Sequence, residues 1–169
     1  MGEAIERLFD AAPTMPPLFE PITGQLNSRL LVDGTGARGV PCVQSYLNSL
    51  GLRVAGNGIL EGVETAADDS PIDLQQVNDA YVDIPVVFAA SERDVYNSYS
   101  GKHALEDVRR LVFKRAGNNY VSNGAFIVAC IERGFSFQYA TEFGTKNLMF
   151  NMELNHVFSE ALRGENIIA

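Results

Sequence analysis

The sequence predicts an α+β fold in a single domain, with a helix-rich C-terminal half packed on a small mixed or antiparallel sheet. Three observations carry that prediction. Apolar residues recur at helical spacing through much of the second half. Short alternating or β-branched runs, bounded by glycine, lie between those segments. The chain has 169 residues, 46% of them hydrophobic and 20% charged. That is one domain by length, with enough apolar material to bury roughly 70% of the unfolded surface.

Taken in order, residues 2–11 read as a short amphipathic helix with Ile5, Leu8 and Phe9 on one face. Pro13, Pro16, Pro17 and Pro21 follow. Each proline fixes φ and removes a donor, so residues 13–22 form an extended arm. Met15, Leu18, Phe19 and Ile22 lie between those prolines, and an arm this apolar must lie on something, either its own domain or a partner. Residues 1–24 are thus a helix and an arm, and residues 25–169 the globular body.

In the body, Arg29 to Asp33 reads as a strand and Gly34 to Gly39 as a glycine turn. Pro41 suits the first turn of a helix from Cys42 to Leu50, which Gly51 stops. Leu52 to Ala55 is a short strand, residues 56–73 a loop, and Asp73 to Asp79 a short helix. Tyr81 to Ala90 reads as a strand, because Val82, Ile84, Val86, Val87 and Phe88 are β-formers, with Pro85 marking an edge or bulge. Ser91 to Asp94 has the pattern of a helix cap.

The strongest helix signal is His103 to Arg115, where Ala104, Leu105, Val108, Leu111 and Val112 make one stripe. Its acids come early and its bases late, as the helix dipole favours. A second helix runs from an N-cap at Ser122 to Arg133, with Gly134 as its stop. It is apolar almost all round and belongs at the centre of the core. Phe135 to Ala140 and Asn147 to Met152 alternate as two strands joined by a turn containing Gly144. Glu153 to Arg163 is a closing amphipathic helix.

Charge narrows the function classes. Residues 1–84 hold 12 acids and 4 bases, and residues 85–169 hold 9 of each, so the net charge of −8 resides in the first half. Such a chain is repelled by nucleic-acid phosphates and by anionic membrane surfaces. No apolar run approaches the ~20 residues of a membrane span. The first residues carry no secretory signal, and Glu6 stands where a myristoylation motif wants Ser or Thr. Two cysteines, Cys42 and Cys130, make no disulfide framework, and a cytoplasmic location with reduced thiols is expected.

Three constellations carry candidate chemistry. Gly34, Gly36 and Gly39 match the G-x-G-x-x-G spacing that lets backbone approach a pyrophosphate, with Glu61 about 20 residues on. Against it stand the acidic surroundings and Pro41, which removes a donor; an ordinary glycine turn is the alternative. His103 with Glu106, and Glu153 with His156, are two His/Glu pairs at i,i+3 on predicted helices, and together they would offer metal ligands. The alternative is a solvated helix surface. Cys42 at a helix start would have a lowered thiol pKa, but a nucleophile also needs a histidine in space. Tyr96, Tyr99, Ser100 and Lys102 are polar and match no named mechanism. Lys102, Arg109, Arg110, Lys114 and Arg115 interleave with Glu106 and Asp107 and read as one solvated helix face.

The expectation is a non-enzymatic interaction or assembly protein needing no cofactor. Its contact residues are Met15, Leu18, Phe19 and Ile22 of the arm and Glu61, Glu64, Asp68 and Asp69 of the acidic half. The partner is a protein with a basic surface, such as one that normally holds nucleic acid, or further copies of the chain in a homo-oligomer. The rival class is a small metal- or nucleotide-dependent enzyme. Simple solubility is the plain alternative for the acidic half.

Overall fold

The computed structural model describes residues 40–61, 71–138 and 146–168. The predicted N-terminal helix and arm, the Arg29–Asp33 strand, the Gly34–Gly39 turn, the acidic residues 62–69 and the turn holding Gly144 lie outside them.

Among the described residues the first helix, α1, spans Val40–Ser49. Gly51 ends it at φ +79°, with the Gly51 amide donating to Asn48 O. The chain then makes a hairpin, β1 (Leu52–Ala55) against β2 (Gly58–Glu61), in register from Leu52↔Glu61 to Ala55↔Gly58.

Helix α2 (Leu74–Val87) begins at Asp73, whose carboxylate accepts from the Gln75 and Gln76 amides. It corrects the strand expected over Tyr81–Ala90. Only Phe88–Ala90, as β3, is extended. The β-formers there are outweighed by spacing: Val77, Ala80, Tyr81, Ile84 and Val87 recur at helical period and are all buried. Pro85 lies inside the helix, where it withholds the amide that Tyr81 O would accept. Arg133 replaces that donor. Its Nε donates to Tyr81 O at 2.8 Å, and its guanidinium lies 3.7 Å over the Tyr81 ring. The helix therefore continues through a proline because a side chain from elsewhere satisfies the freed carbonyl.

Ser91 Oγ accepts from the Arg93 and Asp94 amides and closes a turn rather than starting a helix. After β4 (Tyr96–Asn97), helix α3 (Ser98–Asp107) starts five residues before the expected His103, capped by the Asn97 side chain. It widens into a π-helical turn over Val108–Val112, with the Phe113 amide donating to Val108 O. Lys114, at φ +53°, then reverses the chain.

Helix α4 (Asn123–Glu132) matches expectation in both ends and in place. Ser122 caps it, Gly134 follows at φ +87°, and all ten residues are buried. It packs against α1, α2, α3, β1 and β2. Gly124 marks the tightest approach. Its amide donates to Gly56 O at 3.0 Å, and an added methyl would overlap the Ala55 carbonyl.

Beyond it, β5 (Phe137–Gln138) pairs with β6 (Met149–Phe150), as the alternation predicts, and β6 also pairs with β4. Strand β7 (Met152–Leu154) pairs with β3. Helix α5 runs over His156–Ile168, so the closing helix begins three residues later than expected, and Glu153 belongs to β7. Among the described residues the strands thus form three small antiparallel sheets around a helical core. Among the described residues no helix is long and apolar enough to cross a membrane.

Arg133→Ala should lower unfolding free energy by about 1–3 kcal/mol, the range for orphaning a buried acceptor. In a Pro85→Ala background, where residue 85 regains its amide, the same substitution should cost about 1 kcal/mol less. Urea denaturation of the four proteins in this cycle measures the coupling; equal costs in both backgrounds would contradict the role given to Arg133.

Candidate functional site

The densest polar arrangement among the described residues is built on α3 and on the segment 113–121 that returns beside it. That segment has no strand or helix of its own, so its backbone groups that turn inward, at Asn119 and Val121, need partners. Charged side chains of α3 supply them.

At the upper level, Lys102 Nζ donates to Val121 O at 3.1 Å and to Glu106 Oε2 at 3.2 Å. The same Glu106 oxygen accepts the Val121 amide at 3.0 Å. At the next level, Arg109 Nη1 donates to Asn119 O at 3.2 Å. Lower still, the Arg115 amide reaches back to Arg109 O at 3.1 Å. This arrangement corrects the reading of a solvated basic face. Lys102 and Arg109 are buried, with side chains 7% and 5% exposed, while Arg110 and Lys114 remain outside.

Asp83 anchors this unit to α2. Its Oδ2 accepts from Arg109 Nε at 2.8 Å and Arg115 Nη1 at 2.7 Å, and its Oδ1 from Arg115 Nη2 at 2.9 Å. Burial alone pushes the Asp83 carboxyl up; hydrogen bonds from Arg115 and Arg109, with their charges, outweigh it and hold the group below the usual carboxylate value.

On the outside of α3 the same residues carry an aromatic surface. His103 Nδ1 lies 3.0 Å from Glu106 Oε1, and the Tyr99 ring meets the imidazole edge-on at 4.5 Å. Lys102 Nζ sits 4.5 Å from the centre of the Tyr120 ring and 5.7 Å from that of Tyr99. Tyr99 and Tyr120 are each 52% exposed. Glu106 thus links Lys102, Val121 and His103, and the two tyrosines rest on that link. Tyr99 and Tyr120 were not singled out by sequence as a pair. The signal present was Tyr99, Lys102, His103 and Glu106 at helical spacing; Tyr120 lies beyond the reach of any local pattern.

A second exposed surface is apolar. Val82 and Val86 on α2 are 58% and 53% exposed, and Val157 at the start of α5 is 67% exposed. Asn155 joins the two helices there, donating its amide to Val87 O and its Nδ2 to Val86 O.

Of the proposed metal residues, the structure brings together only His103 and Glu106. Glu153 lies on β7 rather than one turn before His156, so the expected shared helix face does not exist. His156 instead lies 3.6 Å from Glu160. Among the described residues no group of three His, Cys, Asp or Glu side chains is placed to hold a metal ion. Cys130 is a free thiol within α4, and burial pushes it well above its ordinary value, which suits packing rather than nucleophilic attack. Cys42 lies on α1 and Glu61 at the end of β2, with their side chains outside the description. Gly34, Gly36, Gly39, Met15, Leu18, Phe19, Ile22, Glu64, Asp68 and Asp69 are outside it altogether. No protein-family model, curated protein or solved structure matches the chain.

Asp83→Ala should destabilise the fold by about 3–5 kcal/mol, since it strands the Arg109 guanidinium in the interior. The pH dependence has a defined sign. The folded carboxyl is depressed, so its contribution is complete above the unfolded value near about 3.9 and is lost as pH falls through the lower folded value. Acid unfolding of wild type should therefore steepen below about pH 4, and Asp83→Ala should flatten that limb. An unchanged limb in the variant would contradict the assignment.

Proposed function

We propose that the protein is a non-enzymatic assembly protein that binds further copies of itself through its apolar arm and the apolar surface of its body. The observation that carries this reading is the exposed pair Val82 and Val86 on α2, with Val157 also exposed at the start of α5. These valines lie outside a core that already encloses Val77, Ile84 and Val87 of the same helix. Val82 and Val86 lie one turn apart on one face of α2, and adjoining exposed apolar groups mark a contact surface more than singly scattered ones do.

The arm supports the same reading from sequence. Met15, Leu18, Phe19 and Ile22 alternate with four prolines over residues 13–22, and an arm of this kind can strap onto a neighbouring subunit. The acidic residues Glu61, Glu64, Asp68 and Asp69 then keep the chain soluble or meet a basic partner. These roles separate by salt. Contacts led by acids weaken steeply as salt rises because exposed charges are screened within ~8 Å at physiological ionic strength, whereas apolar contacts do not.

Light scattering of the full chain at several concentrations tests the proposal. The mass should rise above that of one chain with increasing concentration and persist at high salt. Val82→Glu/Val86→Glu and, separately, Leu18→Ser/Phe19→Ser should return it to that of one chain. A single-chain mass at every concentration would end the assembly reading. A mass lost only at high salt would shift the argument to the acidic residues. A melting-point rise with one divalent metal or one nucleotide would favour the enzyme reading instead.

A further inference from the structure

We propose that Asn57 is a site of spontaneous covalent modification, its side-chain amide being converted by water to aspartate and isoaspartate through a cyclic imide formed with the Gly58 nitrogen. The isoaspartyl product loosens the β1–β2 hairpin from the start of α4.

The chain contains two Asn-Gly pairs, Asn57-Gly58 and Asn123-Gly124. In such a pair the glycine nitrogen can reach the asparagine side chain with no Cβ in its way. The nitrogen attacks Cγ and forms a C–N bond, and the Cγ–Nδ2 bond breaks. The glycine amide proton leaves with the side-chain nitrogen as ammonia. Water then adds across one of the two ring C–N bonds. Opening at Cγ restores the ordinary backbone with an aspartate side chain. Opening at the backbone carbonyl leaves the chain running through Cβ and Cγ, one carbon longer. Water is the only co-reactant, and nothing is oxidised or reduced.

The fold sets the two pairs apart. Asn57 is exposed in the turn between β1 and β2. Gly58 pairs with Ala55 at the step of the ladder next to that turn, so a local opening of the turn frees its amide without unfolding the core. Asn123 is 6% exposed, in the first turn of α4. Its Nδ2 donates to Asn147 Oδ1 at 2.8 Å, Lys146 O at 3.3 Å and Asn57 O at 3.4 Å, and the Gly124 amide donates to Gly56 O at 3.0 Å. Attack at Asn123 would break these bonds, so that pair reacts only when the core opens.

Glycine at position 58 is imposed by the fold. Its φ is +126°, and an added Cβ would overlap Lys146 O and lie 2.6 Å from Asn123 Nδ2. The packing that demands glycine thus also leaves the attacking nitrogen unhindered. The same packing makes the modification consequential. Gly56 O and Asn57 O are the acceptors that tie the turn to the start of α4. In the isoaspartyl product the Asn57 carbonyl becomes a carboxylate off the chain, and the turn gains a carbon. The approach at Gly124 is too close to absorb that added length, since even a methyl there would overlap the Ala55 carbonyl.

The test incubates the folded full chain at neutral to mildly basic pH. Peptide mapping by mass spectrometry and methylation by a protein isoaspartate methyltransferase follow the conversion. Asn57 should convert at least about tenfold faster than Asn123, because a buried pair waits for global opening, and the two rates should converge in concentrated urea. Asn57→Ser should remove the methylation of the folded chain. In aged protein the Gly124 amide should exchange with deuterium faster. Asn57→Asp keeps the ordinary backbone and should leave that exchange as in fresh protein. Equal rates at the two asparagines in the folded chain, or an Asn57 that reacts only in urea, would overturn the assignment of the site. Unchanged exchange at Gly124 in chains that carry isoaspartate at position 57 would overturn the loosening of the hairpin.

Discussion

A helix with no wet face constrains everything around it. All ten residues of α4 are buried, from Asn123 at its start to Glu132 at its end, so every side of it must be covered by another element. The β1–β2 hairpin covers its start at a distance only Gly124 allows. Helices α1, α2 and α3 cover its sides. Close packing of this kind leaves little tolerance for added volume. It also fixes what must come before α4: the chain leaving α3 has to run back to Ser122 along the outside of the body.

That return is where the charged side chains enter the interior. Residues 113–121 make no regular ladder, and although most of them are exposed, the inward carbonyls of Asn119 and Val121 and the Val121 amide would be costly to leave without partners. Lys102, Glu106 and Arg109 serve as those partners, and Asp83 holds Arg109 and Arg115 against α2. A buried ion pair is weak evidence for net stability but a strong determinant of arrangement, since removing one partner strands the other. The rigid platform beneath Tyr99 and Tyr120 is a by-product of the same ties. The polar residues that close the return loop also order the aromatic surface above it.

Much of the architecture was legible because its signals are local. Ser122 and Gly134 bracket an unbroken apolar run, and that is enough to read α4 as the central helix. Helix α2 was misread because two signals conflicted. Val82, Ile84, Val86 and Val87 favour a strand by propensity, whereas Val77, Ala80, Tyr81, Ile84 and Val87 repeat at helical period, and packing decided for the period. Pro85 strengthened the misreading, and its accommodation depends on Arg133, 48 positions away in the sequence. The burial of Lys102 and Arg109 was illegible for the same reason: their partners are backbone groups of a loop, which sequence periodicity does not reveal. The His/Glu pairing of Glu153 and His156 failed because a helix boundary fell between them, and boundaries are the least certain feature of such a reading.

With the core closed and the loop tied, the exposed large apolar groups among the described residues include the valines of α2 and α5 and the tyrosines of α3 and its return loop. On the assembly reading proposed above, other copies of the chain would cover these groups. Hydrogen–deuterium exchange of the full chain at low and high protein concentration tests this most directly. Amides of residues 82–87, 97–103 and 118–121 should exchange more slowly at high concentration, while those of α4 should be unchanged. Exchange that is independent of concentration at both surfaces would contradict it.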